Sequence, residues 1–249
     1  MSEPSLLPAL EQITPNNHGA TVSIITFVLL SASVIVVVAK AMSIVYLKRS
    51  LPSVDIPLWI CMAIVFVQSI LVQFAVDHGM GRHRNDISSN SFDMYNKLTY
   101  TAQLLFILVL SLSKISTVNL ILSINPSERI QQCCLITQIG VGLWTLFALF
   151  GLAFQCSPPY WEYSATRCVG NGAILYPVTI TNMVLDAAVV VIPVVMLWNV
   201  QMPKIRRVKI SAAFASRLVV TVLNIIQVSY SGKYLNSTDL TDNPQRDYL

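Results

Sequence analysis

Charged residues are scarce in this sequence. Lys, Arg, Asp and Glu make up 11% of its 249 residues, whereas about a quarter of the residues of a soluble domain are charged. Hydrophobic residues make up 54% and are gathered in long blocks, which argues against a soluble globular domain and predicts an integral membrane protein. The net charge of +4 comes from basic residues scattered over short segments, so we expect no nucleic-acid partner.

The usual motifs of catalysis and metal binding are also missing. No GxSxG or HExxH is present, and Asp186 is the single acidic residue deep within an apolar run. Paired intramembrane aspartates are therefore excluded, as is a Ser/His couple, because all three histidines lie outside the cores of these runs. The spacing of Asp77, His78, His83 and Asp86 matches no strong ligand pattern. We therefore expect no catalytic residues and no metal site.

Six apolar runs are long enough to cross about 30 Å of hydrocarbon as helices. They are residues 20–46, 56–76, 98–122, 133–154, 173–200 and 209–231. Backbone groups in lipid must be satisfied within the segment, and the alternating pattern of a membrane β-barrel is absent. The sequence thus predicts an all-α polytopic transmembrane helix bundle over 20–231, between polar segments at 1–19 and 232–249.

Lysine and arginine in the short connecting segments predict the orientation of the bundle. Lys48 and Arg49 follow the first run, and a denser basic segment follows the fifth. That segment, the basic loop, contains Lys204, Arg206, Arg207 and Lys209. We expect the Lys48–Arg49 segment and the basic loop to lie on the cytoplasmic side. Residues 1–19 and 232–249 are then extracellular or lumenal, and the first run is a signal anchor. We therefore expect a multi-pass protein of the plasma membrane or an endomembrane, with a cytoplasmic protein or anionic lipid as possible partners of the basic loop.

Two further features agree with this orientation. Asn236 begins the sequon Asn-Ser-Thr on the predicted outer side, where it is a glycosylation site. Cys156 and Cys168 flank an outer segment, where oxidation is permitted. A disulfide between them would close a small loop over the mouth of the bundle; two unpaired thiols are the alternative.

Asp186 lies near the middle of the fifth run, about 20 Å from its outer end at 1.5 Å per residue. An ionised carboxylate facing lipid costs several kcal/mol, so the side chain should face the bundle interior and have a partner. Lys114 of the third run lies at a similar depth. We therefore predict an intramembrane polar pair of Lys114 and Asp186.

Other polar residues extend this interior. Asn182 lies one helical turn before Asp186 on the same face, and the sixth run carries Arg217, Asn224 and Gln227 along one side. Together they predict a polar seam. Two interpretations stay open: the pair fixes the helix register, with polar side chains bonded between helices, or it is a ligand site, a proton site or a switch.

The order of several motifs along the chain points to a known family. They are Gly79-x-Gly81-x-His83, Lys114 with Ser116, Cys156, Cys168, and Asn182, Asp186 and Pro193 of the fifth run. Over roughly residues 20 to 245 the chain resembles the fungal rhodopsin-like integral membrane domain family, which includes receptor-like proteins related to the Pth-eleven receptor. The resemblance implies a seven-span domain with an outer N-terminus, of which this sequence contains six spans. It also implies a receptor-like role or an association with secondary-metabolite pathways, since family members include both.

Three functions are consistent with these residues. The first is a receptor-like sensor without catalytic activity, with a small-molecule ligand at the outer face and the lipid bilayer around it. The second is a transporter or proton pathway that uses Lys114 and Asp186, and the third is a passive membrane accessory or scaffold protein. Microbial rhodopsins hold retinal through a lysine of the seventh span, whereas Lys114 is in the third. We therefore expect no retinal and no other cofactor.

Overall fold

The computed structural model describes residues 19–47, 52–79, 88–123, 127–158, 160–161, 168 and 174–199. These residues form five α-helices and no β-strand: α1 (Gly19–Leu47), α2 (Pro52–Asp77), α3 (Ser89–Leu122), α4 (Glu128–Ala153) and α5 (Leu175–Asn199). Each helix is long enough and apolar enough to cross a membrane. The predicted polytopic helical bundle is therefore confirmed for these five helices.

The five helices coincide with the first five predicted spans to within a few residues, except at the start of α3. That helix begins at Ser89 rather than near residue 98, because Ser88 caps it by accepting a hydrogen bond from the Ser91 amide at 3.3 Å. Its 34 residues are about 51 Å long at 1.5 Å per residue. This exceeds the thickness of the hydrocarbon layer, so its polar first turns are the part left beyond it. The sixth predicted span, 209–231, and the segments 1–18 and 200–249 lie outside the described residues.

Helix α3 lies at the centre of the bundle, where it packs against α2, α4 and α5, while α1 packs on α2. One apolar cluster joins α3, α4 and α5 through Val118, Ile121, Cys134 and Val189, and a second joins the same helices through Ile107, Trp144, Ala148 and Val178. The outward faces of α1 and α4 instead expose large apolar side chains, which include Ile35, Val36, Ile136 and Leu143. A surface of this kind is suited to lipid rather than water.

Glycines allow α4 to lie close to α5. A Cβ atom added at Gly140 would lie 3.3 Å from Leu185 Cδ2, and one added at Gly151 would lie 3.3 Å from Ile174 Cγ2. Small residues of this kind let membrane helices approach each other closely. Gly142, between these two, differs, because no described residue lies within 4 Å of the corresponding position.

The first turn of α2 is held by side chains of α3. Pro57 has no amide proton, so the Ser53 carbonyl has no donor four residues later within its own helix. Asn119 Nδ2 donates to that carbonyl at 2.6 Å, and Ser116 Oγ donates to the Val54 carbonyl at 3.0 Å. Gln138 Nε2 of α4 in turn donates to Asn119 Oδ1 at 2.6 Å. This chain of hydrogen bonds joins three helices at the end of the bundle where α2 begins.

Candidate functional site

The structure brings Lys114 of α3 and Asp186 of α5 together in the interior of the bundle. Lys114 Nζ lies 3.1 Å from Asp186 Oδ1. The lysine is 1% exposed and the aspartate 6%. A charge at this depth is costly by itself, so each group offsets the desolvation cost of the other.

Asn182 completes a ring of contacts with this pair. Its side-chain oxygen accepts a hydrogen bond from Lys114 Nζ at 2.7 Å, and its nitrogen donates to Asp186 Oδ2 at 3.3 Å. Asn182 lies one helical turn before Asp186 on α5, so one face of that helix presents both acceptors to the ammonium. The opposite amide orientation would place its NH₂ group against the lysine, so the ionic pair determines which way the amide points. Both carboxylate oxygens of Asp186 are thereby bonded.

Trp144 of α4 is the fourth member of this arrangement. Lys114 Nζ lies 5.3 Å from the centroid of its ring, within the range of a cation–π interaction. Its indole nitrogen donates to the Val178 carbonyl of α5 at 2.9 Å, which holds the ring in place. Lys114, Trp144, Asn182 and Asp186 are called the Lys114 cluster below. They join three helices through one ammonium group.

Trp144 was not identified from the sequence. Its position within a long apolar run is typical of a packing residue, and nothing in the run marks it as the residue that lies over Lys114. One signal was available: the indole N–H of a buried tryptophan needs an acceptor. That requirement places Trp144 against another helix, but it does not say which side chain its ring contacts.

A pair of hydroxyl groups lies one turn from Lys114. Ser111 Oγ of α3 and Thr145 Oγ1 of α4 are 2.6 Å apart. Ser111 also bonds the Ile107 carbonyl at 2.8 Å, and Thr145 bonds the Val141 carbonyl at 2.7 Å. Each hydroxyl has one hydrogen to donate, so two of these three hydrogen bonds form at a time, and the pair continues the polar contact between α3 and α4.

The geometry of the Lys114 cluster decides which chemistry it can support. Lys114 Nζ contacts a carboxylate, an amide oxygen and an aromatic face of the neighbouring helices. The arrangement therefore suits an ionic contact between helices better than covalent catalysis.

The predicted disulfide is confirmed: Cys156 is bonded to Cys168. Within the loop that it closes, Trp161 Nε1 donates to Asp93 Oδ1 of α3 at 2.8 Å. Lys97 Nζ donates to Asp93 Oδ2 at 2.6 Å and lies 4.8 Å from the centroid of the Trp161 ring. The end of the bundle that carries this bridge, where α3 begins, is called the disulfide end. Its loop is thereby joined to α3.

A further ionic pair lies toward the opposite end. Lys40 Nζ of α1 is 3.4 Å from Asp55 Oδ1 in the first turn of α2, where the aspartate is buried and the lysine is partly exposed. Lys40 and Asp55 are both visible in the sequence. Their pairing was not predicted, because the sequence alone does not show that α1 and α2 lie side by side.

Of the Gly-x-Gly-x-His motif, the structure describes Gly79 alone. Its φ is 114°, and its amide donates to the Val76 carbonyl at 3.0 Å, so it ends α2 in a conformation that favours glycine. The remaining predicted site residues lie outside the described residues and stay predictions. They are Gly81, His83, Arg217, Asn224, Gln227, Lys204, Arg206, Arg207, Lys209 and Asn236. Among the residues that the structure describes, no three His, Cys, Asp or Glu side chains lie together as metal ligands.

Comparison with known proteins identifies the family. The family model of the fungal rhodopsin domain matches residues 39–248. A SAT4 family membrane protein of Emericella nidulans is 25% identical over 170 residues, which are 66% of this chain and 44% of that protein. The chain therefore spans less than half the length of this relative. No solved structure matches the chain. Because the family match covers most of the sequence and the helices are those of a multi-pass membrane protein, the chain belongs to the fungal rhodopsin domain family.

Proposed function

We propose that this protein is a receptor-like membrane sensor without catalytic activity, in which the Lys114 cluster is the switch. The observation that carries the proposal is the Lys114 ammonium, which is buried and bonded to side chains of both α4 and α5. In one arrangement of the helices every charge in the cluster is paired. A ligand that moves α5 relative to α3 would separate these charges and would favour a second arrangement.

The energetics of buried ion pairs support a switch more than a contact that only fixes the helix register. Replacing such a pair with apolar residues of similar volume is often neutral, or even stabilising by about 1–4 kcal/mol, because desolvation offsets the attraction. Breaking the pair by removing one partner costs about 3–5 kcal/mol. The pair therefore adds little net stability, yet it strongly disfavours any helix arrangement that separates the charges. The pair thus sets a free-energy difference between the two arrangements, which a ligand with higher affinity for the second one would offset.

The disulfide end provides a route from an outer ligand to this switch. Trp161 of the loop contacts Asp93 and Lys97 of α3. Lys114 lies 17 residues after Lys97 on the same helix, about 26 Å along its axis. A ligand that displaces the loop would pull on α3 directly. In the predicted orientation the basic loop follows α5 on the cytoplasmic side, where a protein or anionic lipid would receive the signal.

The proposal is tested by measuring the distance between α3 and α5 in the full chain in lipid nanodiscs. Genetically encoded spin labels at Leu120 and Val195, both exposed near the same end of the bundle, report this distance by electron–electron double resonance. We expect one distance population in the wild type and a second population in Lys114→Met. The matched control is Lys40→Met, which breaks the ionic pair between α1 and α2 outside the Lys114 cluster and should leave the distribution unchanged.

Two outcomes would contradict the proposal. If Lys114→Met leaves the α3–α5 distance distribution unchanged, the cluster is not a switch, and a passive accessory role explains the protein better. If the wild type in proteoliposomes moves protons or solutes and Asp186→Asn abolishes that movement, the protein is a transporter. A dye that reports internal pH, together with uptake of labelled solutes, measures this second outcome.

A further inference from the structure

A cleft between α2, α3 and α4 has no role in the proposed switch. Its volume is about 540 Å³, within the range of about 300–1,000 Å³ that is usual for ligand sites. Leu108 to Ile115 of α3 form its floor, Ile139 to Leu146 of α4 form one wall, and Ile64 of α2 contributes to the other. Each of the two longer stretches covers seven residue steps, about 10 Å of helix.

The cleft opens toward lipid. Ile139, Leu143 and Leu146 line it and are also exposed on the outer surface of α4. The cleft begins seven residues from the end of α3 at Leu122, about 10 Å along the helix axis, so it lies within the hydrocarbon layer rather than among headgroups. Its occupant must therefore come from the membrane interior.

The chemistry of the lining indicates what that occupant is. The polar groups in the cleft are the hydroxyls of Ser111 and Thr145, which already bond each other and their own helix carbonyls. They require no polar partner from a ligand. The other lining residues are aliphatic or glycine, and none is aromatic, although aromatic side chains usually help to line the sites of small-molecule ligands. A flexible saturated chain fits such a surface better than a polar or flat molecule.

Gly142 is the second, independent observation. Glycine weakens a helix relative to alanine, and its common reason in a membrane helix is close contact with a neighbouring helix. Gly140 meets that reason through Leu185, but none of the residues that the structure describes lies within 4 Å of a Cβ at Gly142. Gly142 lines the cleft instead. Its missing side chain keeps the cleft open for something that is not part of this surface.

We infer that the cleft between α2, α3 and α4 is a binding site for one acyl chain of a membrane phospholipid. Lipid tails are as apolar as the lining, so removal of apolar surface from water does not drive binding of the acyl chain. Binding is driven instead by dispersion contacts between the chain and the lining, which an unfilled cleft lacks. The predicted sixth span, 209–231, lies outside the described residues, and it is the competing occupant that the test below must distinguish from a lipid chain. The floor residue Ser111 lies one turn from Lys114, so the bound chain would contact α3 beside the Lys114 cluster.

The test is photolabelling of the full chain in nanodiscs that contain phosphatidylcholine with a diazirine on one acyl chain. In the wild type we expect mass spectrometry to find the label concentrated in peptides that contain Leu108–Ile115 or Ile139–Leu146. In Gly142→Leu the new side chain would fill the cleft and displace about ten carbon–carbon contacts, so labelling of these peptides should fall about tenfold. The matched control is Ile136→Phe, which enlarges a lipid-facing side chain of the same helix outside the cleft.

Folding of the variants is checked separately by thermal unfolding. Gly142→Ala and Gly142→Leu should unfold at or above the wild-type temperature, because in the described part of the chain nothing lies within 4 Å of the added Cβ atom. Gly140→Ala should unfold at a lower temperature, because its Cβ approaches Leu185. Should Gly142→Leu fail to fold, Gly142→Ala and the position of the label in the wild type decide the question.

Three results would overturn the inference. The first is wild-type label spread evenly over all lipid-facing peptides. The second is labelling that Gly142→Leu leaves unchanged, or that Ile136→Phe lowers equally. The third is a Gly142→Cys variant that forms a disulfide with a second copy or with cysteines placed in residues 209–231, because the cleft would then be a helix interface.

Discussion

Two lysine–aspartate pairs, each with its lysine on α3, show how differently one kind of contact can act. Lys97 and Asp93 of α3 are 2.6 Å apart, but their side chains are 45% and 48% exposed. Lys114 of α3 and Asp186 of α5 are 3.1 Å apart, and their side chains are 1% and 9% exposed. The attraction between charges varies with the inverse of distance and of the dielectric constant, which falls from about 80 in water to an effective value of about 20 within protein. The lower dielectric constant around Lys114 and Asp186 therefore outweighs their longer separation. Their attraction should be stronger than that between Lys97 and Asp93.

Lys40 and Asp55 lie between these extremes. Their side chains are 35% and 8% exposed at 3.4 Å, so one partner reaches solvent and the other does not. The three pairs thus form a series. The free energy of unfolding that is lost when the lysine is replaced should rise with the combined burial of the lysine and the aspartate. Three of the four substitutions that follow replace the lysines of this series. The fourth replaces Trp144, an uncharged member of the Lys114 cluster.

The largest effect is expected for Lys114→Met. Methionine fills a similar volume but leaves the Asp186 carboxylate without its cation in the bundle interior, so the free energy of unfolding should fall by about 3–5 kcal/mol. Denaturant titration of the protein in bilayer discs measures this change. A loss below about 1 kcal/mol, the level of exposed ion pairs, would mean that water reaches the cluster.

A smaller effect is expected for Trp144→Phe. Phenylalanine retains an aromatic face for Lys114 but removes the hydrogen bond to the Val178 carbonyl, so stability should fall by about 1–2 kcal/mol. The same titration measures the loss. Fluorescence of Trp144, isolated by subtracting the spectrum of the variant, should indicate a buried ring; an emission typical of solvent-exposed indole would contradict the placement.

Lys40→Met tests the intermediate pair. Lys40 is partly hydrated and Asp55 is buried, so the substitution should lower stability by about 1 kcal/mol, the upper part of the range for surface pairs. Unfolding measured beside Lys114→Met under the same conditions gives the comparison. Equal losses in the two variants would remove burial as the explanation of the series.

Lys97→Met should have the smallest effect. The pair with Asp93 is exposed at the disulfide end, where water and salt screen it, so the unfolding transition should not move measurably. The exposure of the Trp161 ring is a separate readout, because the lysine also lies over that ring. A destabilisation comparable to that of Lys40→Met would show that the loop contact matters to the whole fold.

The general architecture could be predicted because lipid leaves few choices. Long apolar runs must be helices, and an acid at mid-depth must have a partner, so the positions of Lys114 and Asp186 along their runs were enough to pair them in advance. Asn182 followed from helical periodicity, since it lies one turn from Asp186. The disulfide followed from the predicted outer position of the two cysteines.

Features that depend on the rotation of one helix against another could not be predicted. The Trp144 ring reaches Lys114 because α4 presents that face to α3 and α5. Asn119 caps the Ser53 carbonyl because α2 begins beside α3. The extended first turns of α3 were missed for a different reason: they are polar, so hydropathy does not reveal them, and the Ser88 cap is a short-range signal.

The most direct test of the buried pair is a double-mutant cycle of Lys114→Met and Asp186→Leu, measured by unfolding in bilayer discs. We expect the double variant to be more stable than either single variant, which requires a coupling free energy larger than the loss of about 3–5 kcal/mol in one single variant, because removing both charges leaves none uncompensated. The same cycle on Lys97 and Asp93 should show no measurable coupling. Additive losses at Lys114 and Asp186 would contradict the account, since each side chain would then act without the other.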